Sequence, residues 1–258
     1  MAHCRADSSS AHSVYDVHDF HDETIDCEPS SAVGINLSPR PIRQDIAVAV
    51  KRLREHRAAY RYAKRILDFL FALTVILVFS WLFIIIAIAI KIDDPRGPVF
   101  FRQPRVGAGG RIFMMYKFRS MVSNAGEILE QLKAQNEKTG PVFKMEHDPR
   151  ITRVGRIIRA LSIDELPQFF NVLRGDLSVV GPRPAIVREV AQYTPYQMQR
   201  LLVPQGMTCL WQIKPHRDKI SFDEWVELDL KYITKCSLWT DLKIIFRTVL
   251  IVITAQGL

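Results

Sequence analysis

Two acids stand side by side in the stretch LSIDELPQFFNVLRGD (Leu161 to Asp176), Asp164 and Glu165, directly ahead of an apolar run. Adjacent carboxylates are ionised at neutral pH and could form a reaction centre, but they also suit the first turn of a helix. Ser162 lies three residues before Glu165, the spacing of an S-x-x-E capping box, and Pro167 fits an early helical position. The residues alone leave both readings open. The helix-start reading predicts a Ser162 cap on a helix over Asp164 to Leu173.

Candidate partners for these acids are cations. Arg150, Arg153, Arg156 and Arg159 precede them at spacings of three, so on a helix they wind by about 60° per step and cannot all face one ligand. Arg159, nearest the acids, is the best placed for an anion contact. Downstream, VVGPRPA sets Arg183 between Pro182 and Pro184, whose rings fix φ and hold the chain extended. An arginine held this rigidly loses little entropy on binding an anion. Lys117 and Arg119 in YKFRSM share a face if that segment is extended, an arrangement apt for phosphate.

The elements that must position these residues begin with FLFALTVILVFSWLFIIIAIAI, Phe69 to Ile90, which carries no charge. As one straight helix it would measure roughly 33 Å, close to the hydrocarbon thickness of a bilayer. KRLREHRAAYRYAKR before it holds seven Lys or Arg, and Lys91, Arg96, Arg102, Arg105 and Arg111 follow it. Positive charge on both sides gives both flanks a cytoplasmic character, so the helix is expected to be re-entrant, with a spanning helix as the alternative. The same cations favour anionic membrane lipids as partners. They also account for most of the net charge of +8, so nucleic acid is not an expected partner.

Beyond the apolar segment, GPVFFRQPRVGAGGRIFMMYKFRSM reads as a hairpin or two short extended segments around Gly107 to Gly110. Helical patterns follow at Asn124–Glu137, Ile151–Ala160, Asp164–Leu173, Ala185–Leu202 and Phe222–Thr234. The last segment sets Trp239, Leu242, Ile245, Phe246 and Val249 on one helical face, suited to a membrane interface or to a core. The expected fold is mainly α with a small β element, anchored by one N-terminal hydrophobic helix and amphipathic interfacial helices. The expected parts are a disordered polar tail over 1–45, a basic segment and membrane helix over 46–92 with its hydrophobic stretch at 69–90, and a cytoplasmic domain over 93–258. His3, Cys4, His12, His18, His21 and Cys27 are too irregularly spaced for a metal site, so a solvated tail is expected there. The four cysteines lack C-x-x-C spacing and are expected to be reduced thiols.

In combination these stretches resemble the bacterial sugar transferase family, the monotopic polyprenyl-phosphate phosphoglycosyl transferases of exopolysaccharide assembly. The matching blocks are KRILD at Lys64, IKIDDPRGPVFFRQ, YKFRSM, RALSIDELPQFFNVLRGDLSVVGPRP and SLWTDLKI, in family order from Lys64 to Gly257. The resemblance implies that Asp164 is a nucleophile and that Glu165 holds Mg²⁺ on the diphosphate of a UDP-sugar. Asp164 would form a phosphosugar ester, releasing UMP, before polyprenyl phosphate takes the phosphosugar. It further implies phosphate and nucleotide contacts from Arg159, Pro182, Arg183 and Pro184, and a site role for Asp241. The implied location is the bacterial inner membrane, with the catalytic domain on the cytoplasmic face. UDP-glucose or UDP-galactose is the expected donor, and a homo-oligomer is left open. Two departures stand out: Ser80-Trp81 where the family breaks its helix at Ser-Pro, and VPQGMTCLWQIKPHRDK where it shows V-R/K-P-G-x-T-G. Arg217 matches the family's loop arginine only with a one-residue shift. These departures keep open a catalytically silent membrane scaffold of the same fold.

Overall fold

The computed structural model describes residues 41–132, 148–215 and 220–254. The expectations for most of the polar tail, including its histidines and cysteines, and for Arg217 lie outside the described residues. The chain runs through helices α1 (Gln44–Glu55), α2 (Ala58–Val78) and α3 (Ser80–Asp93). Strands β1 (Phe100–Val106) and β2 (Ile112–Phe118) precede α4 (Ala125–Leu132) and α5 (Arg153–Ala160). A 3₁₀ turn at Ile163–Glu165 leads to α6 (Gln168–Arg174), and strands β3 (Ser178–Val180) and β4 (Ala185–Ile186) flank the Pro182–Pro184 turn. Next come α7 (Val187–Val190), α8 (Pro195–Met198), a 3₁₀ turn at Gln199–Leu202 and β5 (Gly206–Thr208). Helices α9 (Phe222–Lys235) and α10 (Leu238–Ile253) complete the described chain. The architecture is mainly helical with small sheets, as expected.

The hairpin forms where the glycines predict it. β1 and β2 pair antiparallel from Phe100↔Phe118 to Val106↔Ile112. Gly109 and Gly110 take φ of 64° and 80° in the turn, a region glycine enters without a Cβ penalty. β4 adds to the other edge of β1 through Arg105↔Ile186 and Val106↔Ala185. Separately, β3 and β5 pair in parallel, and there the backbones approach so closely that a Cβ on Gly206 would lie 2.0 Å from the Gly181 nitrogen.

The apolar stretch 69–90 is not one helix. It is shared between α2 and α3, which meet at Phe79 with a bend of 61°. Ser80 takes the place of the missing proline as a helix disturber, because its Oγ donates back to the Leu77 carbonyl at 2.9 Å. Among the described residues no single helix is long and apolar enough to cross a membrane, whereas the bent pair is by length and composition. α2 buries Ala72 in the main core with Phe113, Phe169, Val172 and Val180. α3 buries Ile86 and Ile90 against Phe118 and Ile158, with Ile163 and Leu166 beside them. Its opposite face leaves Trp81, Ile84, Ile85 and Ile88 each more than half exposed.

α1 starts at Gln44, where the polar tail was expected to end, and packs Ile46 and Val50 on Val226, Leu230 and Ile233 of α9. Burying each such side chain contributes about 1.5–3 kcal/mol. Ala185–Leu202 is not one helix. Its first residues join the β1 ladder, and Thr194 with Pro195 starts α8 afresh through a cap in which Thr194 Oγ1 accepts from the Gln197 nitrogen. On α10, Trp239, Leu242, Phe246 and Val249 are exposed, while Ile244 is the buried anchor and Ile245 packs at the edge of the core. Cys209 and Cys236 are free thiols, as expected.

Candidate active site

The acid pair lies on a 3₁₀ turn between α5 and α6, and the capping box does not form. Ser162 takes φ of 56°, in the left-handed region, and its side chain makes no cap hydrogen bond. The reason is the left-handed turn that closes α5, in which the Ser162 nitrogen donates to the Arg159 carbonyl at 3.0 Å and so commits Ser162 to a helix end rather than a helix entry. α6 starts three residues past Glu165. It is fastened to β2 by Asn171, whose Oδ1 accepts from the Tyr116 nitrogen at 3.0 Å and whose Nδ2 donates to the Met114 carbonyl at 2.8 Å. At the other end of α6, Arg65 donates to the Val172 and Leu173 carbonyls, and Gly175 closes the helix at φ of 89°.

This fastening brings Lys117, the next-to-last residue of β2, onto the acids. Lys117 Nζ donates to Glu165 Oε1 at 2.7 Å and lies 3.9 Å from Asp164 Oδ2. Glu165 also faces a narrow cleft of about 10 Å³ lined by Arg105, Met115, Gln168, Arg183 and Pro184. Arg183 sits with its guanidinium 5.9 Å from the centre of the Trp211 ring.

The two acids are driven apart in acidity. Burial lifts the Asp164 carboxyl above the usual aspartate range; Lys117, Arg159 and Arg183 pull it back down, and the neighbouring Glu165 charge adds to the rise. Burial opposes ionisation of Glu165 too, but Lys117 and Arg183, with Arg105, outweigh it and hold that carboxyl well below the usual glutamate range. One acid is therefore secured as a carboxylate, and the other is the more basic and so the stronger nucleophile of the two. As for a metal, the adjacent carboxylates offer hard oxygen donors, and no cluster of three or more His, Cys, Asp or Glu exists among the described residues. That donor set fits Mg²⁺, which keeps water and takes substrate phosphates to complete its shell.

Of the sequence-predicted residues, the structure gathers Asp164, Glu165, Lys117, Arg183 and Pro184, with Arg159 exposed on the last turn of α5 and acting on Asp164 through its charge. Pro182 fixes the same turn by accepting from the Gly206 nitrogen at 2.8 Å. Arg119 is corrected: it does not share a ligand face with Lys117, because it is buried against Asp94, which it meets through both the main-chain carbonyl and the carboxylate. Asp241 is likewise engaged elsewhere. It is buried between Tyr60, Lys64 and Tyr232, at 3.0, 3.0 and 2.7 Å, where it ties α2 to α9 and α10. Sequence reasoning missed Asn171 and Arg105 as parts of the site. The signal for Arg105 was its period-two spacing from Gln103 on β1, to which it donates at 2.8 Å.

A fold of this kind with paired acids, a lysine and a clamped Pro-Arg-Pro turn matches the sequence model described as bacterial sugar transferase over residues 59–255. The chain belongs to that family. It is 45% identical over 202 residues to the galactosyl transferase CpsE of Streptococcus agalactiae, a match covering 78% of this chain and 44% of that protein. It is 40% identical to an undecaprenyl-phosphate galactose phosphotransferase of Salmonella typhimurium, over 76% of this chain and 42% of the relative. With the exopolysaccharide production protein ExoY of Rhizobium meliloti it shares 39% identity over 76% of this chain and 87% of the relative. The chain thus spans less than half the length of the first two relatives and most of the third.

Proposed function

We propose that the protein transfers a sugar-1-phosphate from a UDP-sugar to polyprenyl phosphate, releasing UMP, as an early membrane step of exopolysaccharide synthesis. The observation that carries this reading is the division of labour within the acid pair. Glu165 is held ionised by Lys117 at 2.7 Å beside the Arg105 and Arg183 cleft, and Asp164 is left as the more basic carboxylate. Relatives named as undecaprenyl-phosphate sugar phosphotransferases support the reaction class.

In the first step an Asp164 carboxylate oxygen attacks the sugar-bearing phosphorus. The bond from that phosphorus to the bridging oxygen breaks, and UMP leaves with the electron pair. Arg183 and Arg159 meet the charge that develops on the phosphate oxygens. In the second step an oxygen of polyprenyl phosphate attacks the same phosphorus and frees the Asp164 carboxylate, so the acid is regenerated without a general base. Glu165 would hold Mg²⁺, which would supply positive charge to the diphosphate against the approaching anion. Lys117 keeps Glu165 deprotonated and oriented for that duty.

We further propose that the bent α2–α3 pair enters and leaves the bilayer from the cytoplasmic side of the bacterial inner membrane, with exposed Trp81, Ile84, Ile85 and Ile88 toward lipid. α3 packs its other face on Ile163 and Leu166, the residues flanking the acids, so the anchor and the reaction centre share one rigid unit. The polyprenyl phosphate head would then meet Asp164 at a fixed depth.

The test is UMP release by the purified full chain in detergent with Mg²⁺, polyprenyl phosphate and a panel of UDP-sugars that includes UDP-glucose and UDP-galactose. Turnover of one donor is expected. No turnover across the panel would favour a catalytically silent scaffold and sink the transferase reading.

A further inference from the structure

The turn that presents Arg183 is held at every carbonyl. The Pro182 oxygen accepts from the Gly206 nitrogen at 2.8 Å, the Arg183 oxygen from Arg200 Nη2 at 3.2 Å, and the Pro184 oxygen from Arg105 Nη1 at 3.0 Å. β5, the 3₁₀ turn at Gln199–Leu202 and β1 therefore grip one three-residue stretch from different sides. Of these donors, Arg105 also lines the cleft with Arg183 and Glu165. Its Nη2 donates to Gln103 Oε1 at 2.8 Å, so the terminal nitrogens of the fork are each anchored. Its Nε is buried with no hydrogen-bond partner among the described residues.

Placing this guanidinium beside Arg183 is unfavourable by itself. Burial, then the Arg183 charge, push the Arg105 pKa down to about 10. Glu165 and Glu189 offset part of this, but Glu165 is already paired with Lys117. Lys117, Arg105 and Arg183 face Asp164, Glu165 and Glu189 around the turn, with the exposed Arg159 adding its charge from the edge. The cleft, about 10 Å³, is too small to hold a diphosphate, so the donor's phosphates would lie at its mouth against Arg183, where their charge offsets the repulsion between the two guanidiniums. The repulsion present without ligand is relieved when the anion binds, so it favours binding.

We propose that Arg105 is a positioning residue for Arg183, clamping the Pro184 carbonyl and adding its charge behind the turn so that the Arg183 guanidinium is preset for the diphosphate of the donor. The inference rests on the donor-binding reading above. It requires arginine at 105, because the planar fork bridges two acceptors in different directions, the Pro184 carbonyl and the Gln103 side chain, which an ammonium group does not reproduce.

UDP binding to the full chain, measured by titration calorimetry in detergent, tests it in wild type, Arg105→Gln, Arg105→Lys and Gln103→Leu, with thermal unfolding alongside. Arg105→Gln should weaken UDP roughly tenfold or more with little change in Tm, Arg105→Lys should recover part of the loss, and Gln103→Leu should weaken UDP several-fold. In turnover assays the donor KM should rise more than kcat falls, whereas a merely structural role would lower Tm and kcat together. UDP affinity within about twofold of wild type in both Arg105→Gln and Gln103→Leu overturns the clamp, as does a wild-type chain that binds no UDP. If Arg105→Gln fails to fold, Gln103→Leu alone decides by the same criterion. UDP binding that depends on Arg105 in a chain that turns over no donor leaves the clamp standing and removes the transferase reading. Turnover with UDP affinity indifferent to these variants does the reverse.

Discussion

Lys117 Nζ donates to Glu165 Oε1 at 2.7 Å, yet the same amine stays 3.9 Å from Asp164 Oδ2. One lysine thus commits to one of two adjacent acids. The uncommitted acid is left to burial, which raises its pKa, and so the pair acquires two chemical characters from a single asymmetric contact.

That asymmetry makes Asp164→Asn a clean probe. The variant should lose UMP release by more than about a thousandfold and form no phosphosugar adduct. Thermal unfolding should show stability unchanged or raised, since a buried carboxylate no longer has to be ionised while Lys117 keeps Glu165. Mass spectrometry of enzyme trapped with donor alone decides the assignment. A phosphosugar found on another residue would remove Asp164 from the nucleophile's role.

The pH profile should move in opposite directions when the two neighbours of Asp164 are changed. The proposed nucleophile would act as a carboxylate, so rate should fall as pH drops through its raised pKa, and the acid limb should lie above the usual aspartate range. Lys117 lowers that pKa and Glu165 raises it. Lys117→Met should therefore shift the limb of kcat/KM to higher pH, and Glu165→Gln should shift the residual activity's limb lower. Shifts in the same direction would mean that the limb reports some other group.

Ser162 offers a test that separates strain from capping. With φ of 56° and no cap hydrogen bond, its side chain gains nothing from a helix end while its backbone sits where L-residues lose about 1–2 kcal/mol. Ser162→Gly should hold or raise Tm, and Ser162→Val should lower it and loosen the turn that carries Asp164. Had Ser162 been a cap, Ser162→Gly would cost stability instead. Chemical denaturation of the three proteins distinguishes the cases.

What could be read from sequence was what local chemistry decides. The β1–β2 hairpin follows from Gly109 and Gly110, and α9 from its own periodicity. The acid pair was visible as a candidate, but its residues alone left helix start and reaction centre open, and only the resemblance of the whole block to a family favoured the second. The misreadings share one cause, competition from partners distant in sequence. Ser162 could cap only if the chain entered a helix directly, but it turns a corner after α5. Ala185 and Ile186 are helix-compatible residues captured by β1. Arg119 and Asp241 bear charges that any ligand could use, and tertiary packing spends them on Asp94 and on Tyr60, Lys64 and Tyr232. Arg105 looked like one more flanking cation until β4 brought Pro184 within its reach.

Behind the turn, Arg200 and Asp229 form an ion pair at 2.5 Å with both side chains almost wholly buried. Asp229→Ala should destabilise the protein by about 3–5 kcal/mol, because it leaves the Arg200 charge uncompensated in the core. The double replacement Arg200→Met with Asp229→Leu should recover most of that loss. It should still raise the donor KM, since the donor to the Arg183 carbonyl is gone. Recovery of stability without recovery of KM would separate holding the fold from holding the turn.

The bent α2–α3 pair makes the final prediction, which concerns membrane topology. A straight helix over 69–90 would deliver one basic flank to the far side of the bilayer, against the positive-inside bias. The 61° bend at Phe79, with Ser80 Oγ on the Leu77 carbonyl at 2.9 Å, suits the proposed return of the chain to the side it came from. Packing of α3 on Phe118, Ile158 and Ile163 pulls in the same direction, since these residues belong to the domain that carries the acids. Single cysteines at Arg54 and Arg102, both exposed, probe the two flanks. The background is a chain lacking Cys4 and Cys27, with Cys209 and Cys236 already buried. An impermeant maleimide added to intact cells should label neither site, and both should react once the cells are opened. Labelling of one flank alone from outside would establish a crossing helix, and the shared depth of anchor and acid pair would then need another origin.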